Sequence, residues 1–387
     1  MTSRASAARA ERAPVRARKL AQVSAMVGRF PSANRARLDR LIAMHSYFED
    51  LLWSFPGLAH AITCGAYNEA ACARACAIIR SGRVLQHAAR ELGVPFWLRR
   101  LPPEAFCGPI PPLPSDADFG LKVCNHLPRE NRVAATWLQH VSLAYRVCDA
   151  DFALWTARNF TAFQTSEQRA AVAVLALLSW HADMPHEGAG LYVPAGWTPR
   201  FGAIEACRLA SRWLCELQMV LYTQARASRL ALANDANEVC GITFVRLRTP
   251  QELEEEGSIM KHCVATYAPG MAKGSSFLWS LRDEIGSRMA TLEVCIMPNG
   301  RPRSAQLRAV ANADVPHRVW QAVQVWLGGW SEPHPVTTKA MDSPDARTWA
   351  HLWKPYWRAK GMGALLPLRP PAEGLDPLHD ALLRLCG

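Results

Sequence analysis

An Asn-Gly pair between two alternating runs constrains this chain more tightly than any other stretch. Ala290-Thr291-Leu292-Glu293-Val294 and Ala305-Gln306-Leu307-Arg308-Ala309 flank Pro298-Asn299-Gly300-Arg301, and Asn-Gly in that setting is the strongest short-range hairpin signal. With Asn299 and Gly300 as the central residues of a type I′ turn, Glu293 is predicted opposite Gln306 and Thr291 opposite Arg308. Leu292 then meets Leu307, and Val294 meets Ala305. One face holds Ala290, Leu292, Val294, Ala305, Leu307 and Ala309, while the other gathers Thr291, Glu293, Cys295, Ser304, Gln306 and Arg308.

The neighbouring segments extend this pattern into a small α+β domain. Phe277–Arg282 pairs with the strand from Met289 through a reversal at Glu284-Ile285-Gly286-Ser287, which puts Ser280 opposite Thr291 and Arg282 on the polar side. A loop of odd length there would flip the assignment. Ile242–Leu247 alternates as a strand, and Thr249-Pro250-Gln251-Glu252 is a capping box with Pro at the first helical position. Gly257 is expected to break that helix, and Ser258 to restart one that carries Met260, Cys263, Val264 and Tyr267 on one stripe, with His262 on a flanking face. Asp314-Val315-Pro316 reads as the start of a last helix, stopped by Gly328-Gly329.

These residues resemble the PcfJ-like family, named after a protein encoded on a conjugative plasmid. The resemblance runs through Phe244, Leu247, Thr249, Glu252-Leu253, Glu256-Gly257, Met260 and His262-Cys263-Val264. It continues through Tyr267, Gly274, Ser280-Leu281-Arg282, Ala290-Thr291-Leu292-Glu293, Gln306, Arg308 and Asn312, about a fifth of the chain. Leu92–Glu104 is similar to the front half of longer bacterial members. Ala309 departs from the family pattern Gln-x-Arg-Gly. The resemblance implies a mobile-element or conjugation context and no particular reaction.

Composition bounds the rest. The 387 residues are half hydrophobic and carry a formal charge of +11, enough chain for two or three folded domains. The longest apolar stretch, Ala170–Leu178, is far short of the ~20 residues that span a bilayer, so it reads as a buried helix and no membrane span is predicted. None of the twelve cysteines forms a Cys-x-x-Cys pair, which suits reduced thiols and a cytoplasmic location. Residues 1–34 are expected to form a basic, disordered arm without a signal-peptide apolar region, and 35–230 an α-helical region. Residues 237–330 form the PcfJ-like α+β domain, and 331–387 a Pro/Trp-rich tail crossing the surface, because Pro355 interrupts the helical reading. Trp349, Trp353 and Trp357 in that tail, set among His351, Lys354, Arg358 and Lys360, suit either a core or stacking on nucleic-acid bases.

Two sets of residues are candidates for chemistry. Cys263 could act as a nucleophile with His262 or Glu293 as its base. Against this, adjacent helical residues diverge by about 100° and the Met260–Tyr267 stripe favours a buried structural thiol. The stronger candidate is the polar sheet face, where Glu293, Gln306, Arg308 and Arg282 suit recognition of a phosphate or base, with Tyr267 and Asn312 as further contacts. Asn312 also suits the cap of the next helix. His181–Glu187 is rich in metal-ligand types but matches no zinc spacing, so neither metal nor cofactor is predicted. Walker, Rossmann and nucleophile-elbow motifs are absent from the sequence.

The resulting expectation is a conjugation-associated accessory protein that binds DNA or RNA, or a relaxosome-type nucleoprotein partner, through the basic arm and the polar sheet face. The alternatives are an enzyme acting on a nucleotide or nucleic acid with Glu293 as acid/base, and a protein-interaction scaffold.

Overall fold

Short polar side chains open several of the helices by accepting hydrogen bonds from backbone N–H groups that lack helical partners, each worth about 1 kcal/mol. Asn68 accepts from the N–H of Ala70 and Ala71, Asp116 from Phe119 at 2.6 Å, and Asp149 from Phe152 at 2.8 Å. Thr249 and Glu252 complete the capping box read from the sequence. The computed structural model describes residues 17–184, 189, 192–193, 196–223, 236–267, 270–271, 274–329, 344, 346–361 and 364–386. Within it the fold is α+β, and the chain divides into two compact units between Ala176 and Leu177.

The first unit is helical. A helix over 17–28 buries Val23, Met26 and Val27, and Asn34 and Leu38 are buried in the Ser32–Met44 helix. The expected arm to residue 34 is therefore shorter, and residues 1–16 lie outside the described residues. Apolar spacing wins here because Val23, Met26, Val27, Phe30 and Leu38 are all removed from water. Buried His60 is satisfied on both sides, since its Nε2–H donates to Gly108 O at 2.8 Å and its Nδ1 accepts from Asn34 Nδ2 at 3.1 Å. Ala171 through Leu178 are at most 4 % exposed, in the Arg169–Asp183 helix.

The second unit joins further helices to a five-stranded antiparallel sheet. The Ala203–Thr223 helix packs against those over Ala346–Lys360 and Asp376–Cys386. The expected surface tail is thus corrected, because Pro355 sits inside a helix whose Trp349, Trp353 and Tyr356 are fully buried. Proline forfeits only the bond to the carbonyl of exposed His351, which water can satisfy. The Trp349 and Trp357 indoles donate to the carbonyls of Pro367 and Leu366, both at 2.9 Å. Trp349 and Trp353 therefore offer no face to a base.

Strands β1 (Ala236–Val239), β2 (Ile242–Leu247), β3 (Phe277–Arg282), β4 (Arg288–Ile296) and β5 (Pro302–Arg308) lie in chain order. The two-residue turn with both residues at positive φ occurs between β1 and β2, at Cys240 (φ 53°) and Gly241 (φ 71°), and not at Asn299-Gly300. The β4–β5 loop instead has three residues. Gly300 N–H donates to Met297 O, Met297 pairs with Arg301, and Gly300 takes φ 77°. That odd loop places Ile296 opposite Pro302 and Val294 opposite Ser304. A bulge at Ala305 then restores the expected partners Glu293–Gln306, Leu292–Leu307 and Thr291–Arg308.

The β3–β4 hairpin repeats the device. Asp283 pairs with Ser287 around a three-residue loop with Gly286 at φ 83°, and skipping Met289 restores the expected Ser280–Thr291 pair. Each bulge keeps the apolar residues on one side, because a one-residue slip would expose the whole set. Ala305 is consequently exposed rather than part of the apolar face, and Ser304 shares the side of Val294.

On that apolar side Phe244, Trp279, Leu281, Leu292 and Val294 pack against Val319, Val323 and Trp326 of the His317–Gly328 helix. Full burial of each large side chain contributes roughly 1.5–3 kcal/mol. This helix begins at His317 with Pro316 at its N-cap, leaving Asp314 to pair with Arg308. The opposite side of the sheet is covered by the Pro250–Met260 helix, which runs through Gly257 unbroken. A Cβ on Gly257 would sit 2.9 Å from His262 O, so the glycine admits the returning chain instead of ending the helix. Lys261, at φ 54°, closes the helix, and a short 3-10 turn covers Val264–Tyr267.

Candidate functional site

Leu253, Glu256 and Met260 form the inner stripe of the Pro250–Met260 helix, and all three are fully buried. A carboxylate on such a stripe needs partners in the low-dielectric interior. Glu256 finds two on β4, where Arg288 Nε donates to its Oε2 at 2.8 Å and the Thr291 hydroxyl donates to its Oε1 at 2.7 Å. Thr291 has then spent its only hydrogen, so its Oγ1 accepts from His262 Nε2–H at 2.9 Å. The buried Glu256–Thr291–His262 chain thereby fixes the imidazole's orientation and, in its neutral form, assigns Nδ1 as the acceptor nitrogen.

Beside this chain the polar sheet face opens into a cleft bordered by His262, Cys263, Tyr267, Glu293, Gln306 and Arg308, with Asn312 at its rim and Leu278 and Val264 as apolar lining. Its volume is only about 30 Å³, which receives the edge of a group and not a whole nucleotide. Glu293 is half-buried and accepts from Ser276 Oγ at 2.8 Å, and the Tyr267 hydroxyl donates to Gln306 Oε1 at 3.0 Å. Burial pushes the Tyr267 phenol up, with Glu293 and Cys263 adding to the effect. Arg308 reaches across the mouth to Asp314 at 2.9 Å, an ion pair in which Asp314 is 97 % exposed and which an incoming anion could replace at little cost.

Seven of the eight residues predicted for chemistry or binding border this cleft: His262, Cys263, Tyr267, Glu293, Gln306, Arg308 and Asn312. Arg282 does not. It lies at the other end of β3, opposite Arg288, with its Nε 3.3 Å from Ser280 Oγ. Cys263 is exposed, not buried, because the chain leaves the helix at Lys261 and helical angular spacing no longer applies to His262 and Cys263. Asn312 does not cap the following helix. It and Ala311 both take positive φ (61° and 57°), a costly pair for residues with side chains, in the segment bordering the cleft.

The sequence reading missed Glu256 and Thr291 as the supports of His262, together with Ser276. The signal for Glu256 was present as an acid among the inner-facing residues Leu253 and Met260. No group of three or more His, Cys, Asp or Glu able to hold a metal occurs among the described residues, and His186 and Glu187 lie outside them. No described helix is long and apolar enough to cross a membrane. No curated protein and no solved structure matches the chain. Residues 220–322, the segment that builds the sheet and its cleft, match the family model described as PcfJ-like protein, and in this region the chain is similar to that family.

Proposed function

We propose that this chain is a nucleic-acid-binding accessory protein of a mobile element, and that the cleft receives the edge of a base or a phosphate oxygen. The observation that carries the reading is the donor and acceptor set of Tyr267, Glu293, Gln306, Arg308 and Asn312 around one narrow opening on a sheet. Amide, carboxylate and guanidinium groups on a rigid frame suit a base edge or phosphate, and the +11 charge favours a polyanion. The similarity of residues 220–322 to PcfJ-like protein supports the plasmid setting.

The test is fluorescence polarisation of labelled single-stranded DNA, duplex DNA and RNA across a salt series. Arg308→Ala and Gln306→Ala should each weaken binding roughly tenfold. A chain beginning at residue 17, which loses four arginines and one glutamate, should show a shallower salt dependence. Absence of binding at low salt refutes the proposal.

The Glu256–Thr291–His262 chain favours one second reading, an enzyme acting on a nucleotide or nucleic acid. In that reading His262 rather than Glu293 exchanges the proton, because an imidazole held by a buried carboxylate through a hydroxyl has a fixed tautomer and direction. Turnover of nucleic acid or nucleoside phosphates that vanishes in His262→Asn and persists in Glu293→Gln would establish it. Equal loss in both variants would return the role to Glu293.

A further inference from the structure

The first unit contains a larger cavity, of about 500 Å³, between the 3-10 turn Phe96–Arg100 and the Ala117–Val123 helix. Its size falls in the range of small-molecule sites, unlike the narrow cleft of the second unit. Phe96, Trp97 and Leu121 supply apolar wall, and Leu121 is 74 % exposed, a surface that water covers unfavourably. Gly120 lets the helix lie against Trp97, whose Cβ and Cδ1 would be 3.3 Å from an added Cβ. The indole N–H is already committed to Pro114 O at 2.9 Å, so Trp97 offers the cavity apolar surface only.

Positive charge exceeds negative at this cavity, two guanidinium groups to one carboxylate. Arg99 and Arg100 both line it, and neither forms an ion pair among the described residues. Arg99 instead lies over the Phe96 ring, 4.9 Å from its centroid. The single carboxylate in the lining, Asp116, caps the following helix through the Phe119 N–H. Cys124, half-buried, lines the same cavity as Arg99 and Arg100, and its thiol is pushed up by burial and pulled back by Arg100 and Arg99. Two unpaired guanidinium groups beside an apolar wall recognise an oxyanion joined to an apolar body.

We infer that this cavity binds a small amphipathic anion, its carboxylate or phosphate held by Arg99 and Arg100 and its apolar body laid against Phe96, Trp97 and Leu121. The head group chemistry is shared by acyl carboxylates and alkyl phosphates, and the experiment separates them. Isothermal titration of the full chain with decanoate, decyl phosphate, decanol and acetate should show binding of one or both decyl anions. Decanol and acetate should each bind about tenfold more weakly or less, since each lacks one half of the recognition.

Arg99→Gln/Arg100→Gln should reduce anion binding at least about tenfold, while loss of the exposed Arg99–Phe96 contact lowers the melting temperature only slightly and leaves the circular dichroism spectrum that of the parent. Peptide mapping after alkylation should show Cys124 protected by the bound anion and unprotected in the double variant. Equal binding of decanol and decanoate, an affinity unaltered in the double variant, or undiminished alkylation of Cys124 at saturating anion would each overturn the assignment.

Discussion

Replacing Glu256 by Gln tests the buried chain that orients His262. The carboxylate is fully buried and accepts hydrogen bonds from Arg288 and Thr291, at 2.8 and 2.7 Å. Glutamine preserves the volume and can still accept from Thr291, but its amide offers Arg288 one acceptor at most and no charge. Breaking a buried ion pair costs 3–5 kcal/mol. The lower figure applies here, because Arg288 remains 18 % exposed and Glu255 lies 3.8 Å away as a second carboxylate. The expected loss is therefore about 3 kcal/mol, roughly a hundredfold in the folding equilibrium of this unit. Urea denaturation followed by tryptophan fluorescence measures it.

Thr291→Val should cost about 2 kcal/mol, and the Glu256→Gln/Thr291→Val double variant less than the sum by about 1 kcal/mol, since the two side chains share one bond. Histidine 15N chemical shifts supply an independent readout, with the His262 tautomer shifting from Nε2–H towards a mixture in Thr291→Val. A Glu256→Gln loss below about 0.5 kcal/mol, strict additivity, or an unchanged tautomer would refute the chain as the support of His262.

Other consequences are equally direct. Gly257→Ala should destabilise the second unit by about 2 kcal/mol and displace His262, whose carbonyl the new Cβ would meet at 2.9 Å; a thermal melt showing no change would refute the close approach. Cys240→Asn should stabilise by about 1 kcal/mol, because asparagine tolerates the φ of 53° better than cysteine; lower stability in urea would sink that reasoning. Burial pulls His140 down to about 4 and His181 down to about 3, so both are neutral in the folded protein at pH 6, whereas the unfolded chain takes up their protons below about 6.5. Stability should consequently fall as pH drops from about 6.5 towards 4. His181→Phe should flatten that fall and raise the baseline, as neither ring nitrogen has a hydrogen-bond partner among the described residues in its setting of Trp180, Trp213, Trp353 and Tyr356. An unchanged pH profile would contradict the burial of a neutral ring.

Much of the sheet was legible because period-two patterning dictates which residues share a face. Glu293–Gln306, Thr291–Arg308 and Ser280–Thr291 all pair as the alternation requires. The loops were not legible, since Asn-Gly serves a two-residue turn and a three-residue loop with left-handed glycine equally well, and only pairing decides. The β1 strand went unread because Cys240-Gly241 does not advertise a turn as Asn-Gly does. Gly257 was misread because its role is a close approach to His262, a tertiary fact without a local signature. Pro355 was misread for a similar reason, as the packing of Trp349 and Trp353, the core placement that their spacing suits, overrides proline's local penalty. The helices at 17–28 and 346–360 show the same precedence of core formation over charge and proline content.

The coupling of each odd loop to a compensating bulge sets a rule for how this region can lengthen or shorten over evolution. Loss of Gly300 alone would shorten the loop without moving a strand pair, and loss of Ala305 alone would remove the bulge and make Val294–Ser304 and Glu293–Gln306 consecutive pairs, so Gln306 and Arg308 keep the cleft in either case. A residue lost or gained inside a regular stretch of either strand would instead turn every side chain beyond it to the other face. Length changes in the β3–β4 and β4–β5 hairpins should therefore gather at the loop tips and the bulges, and relatives of different length should carry the cleft in the same place.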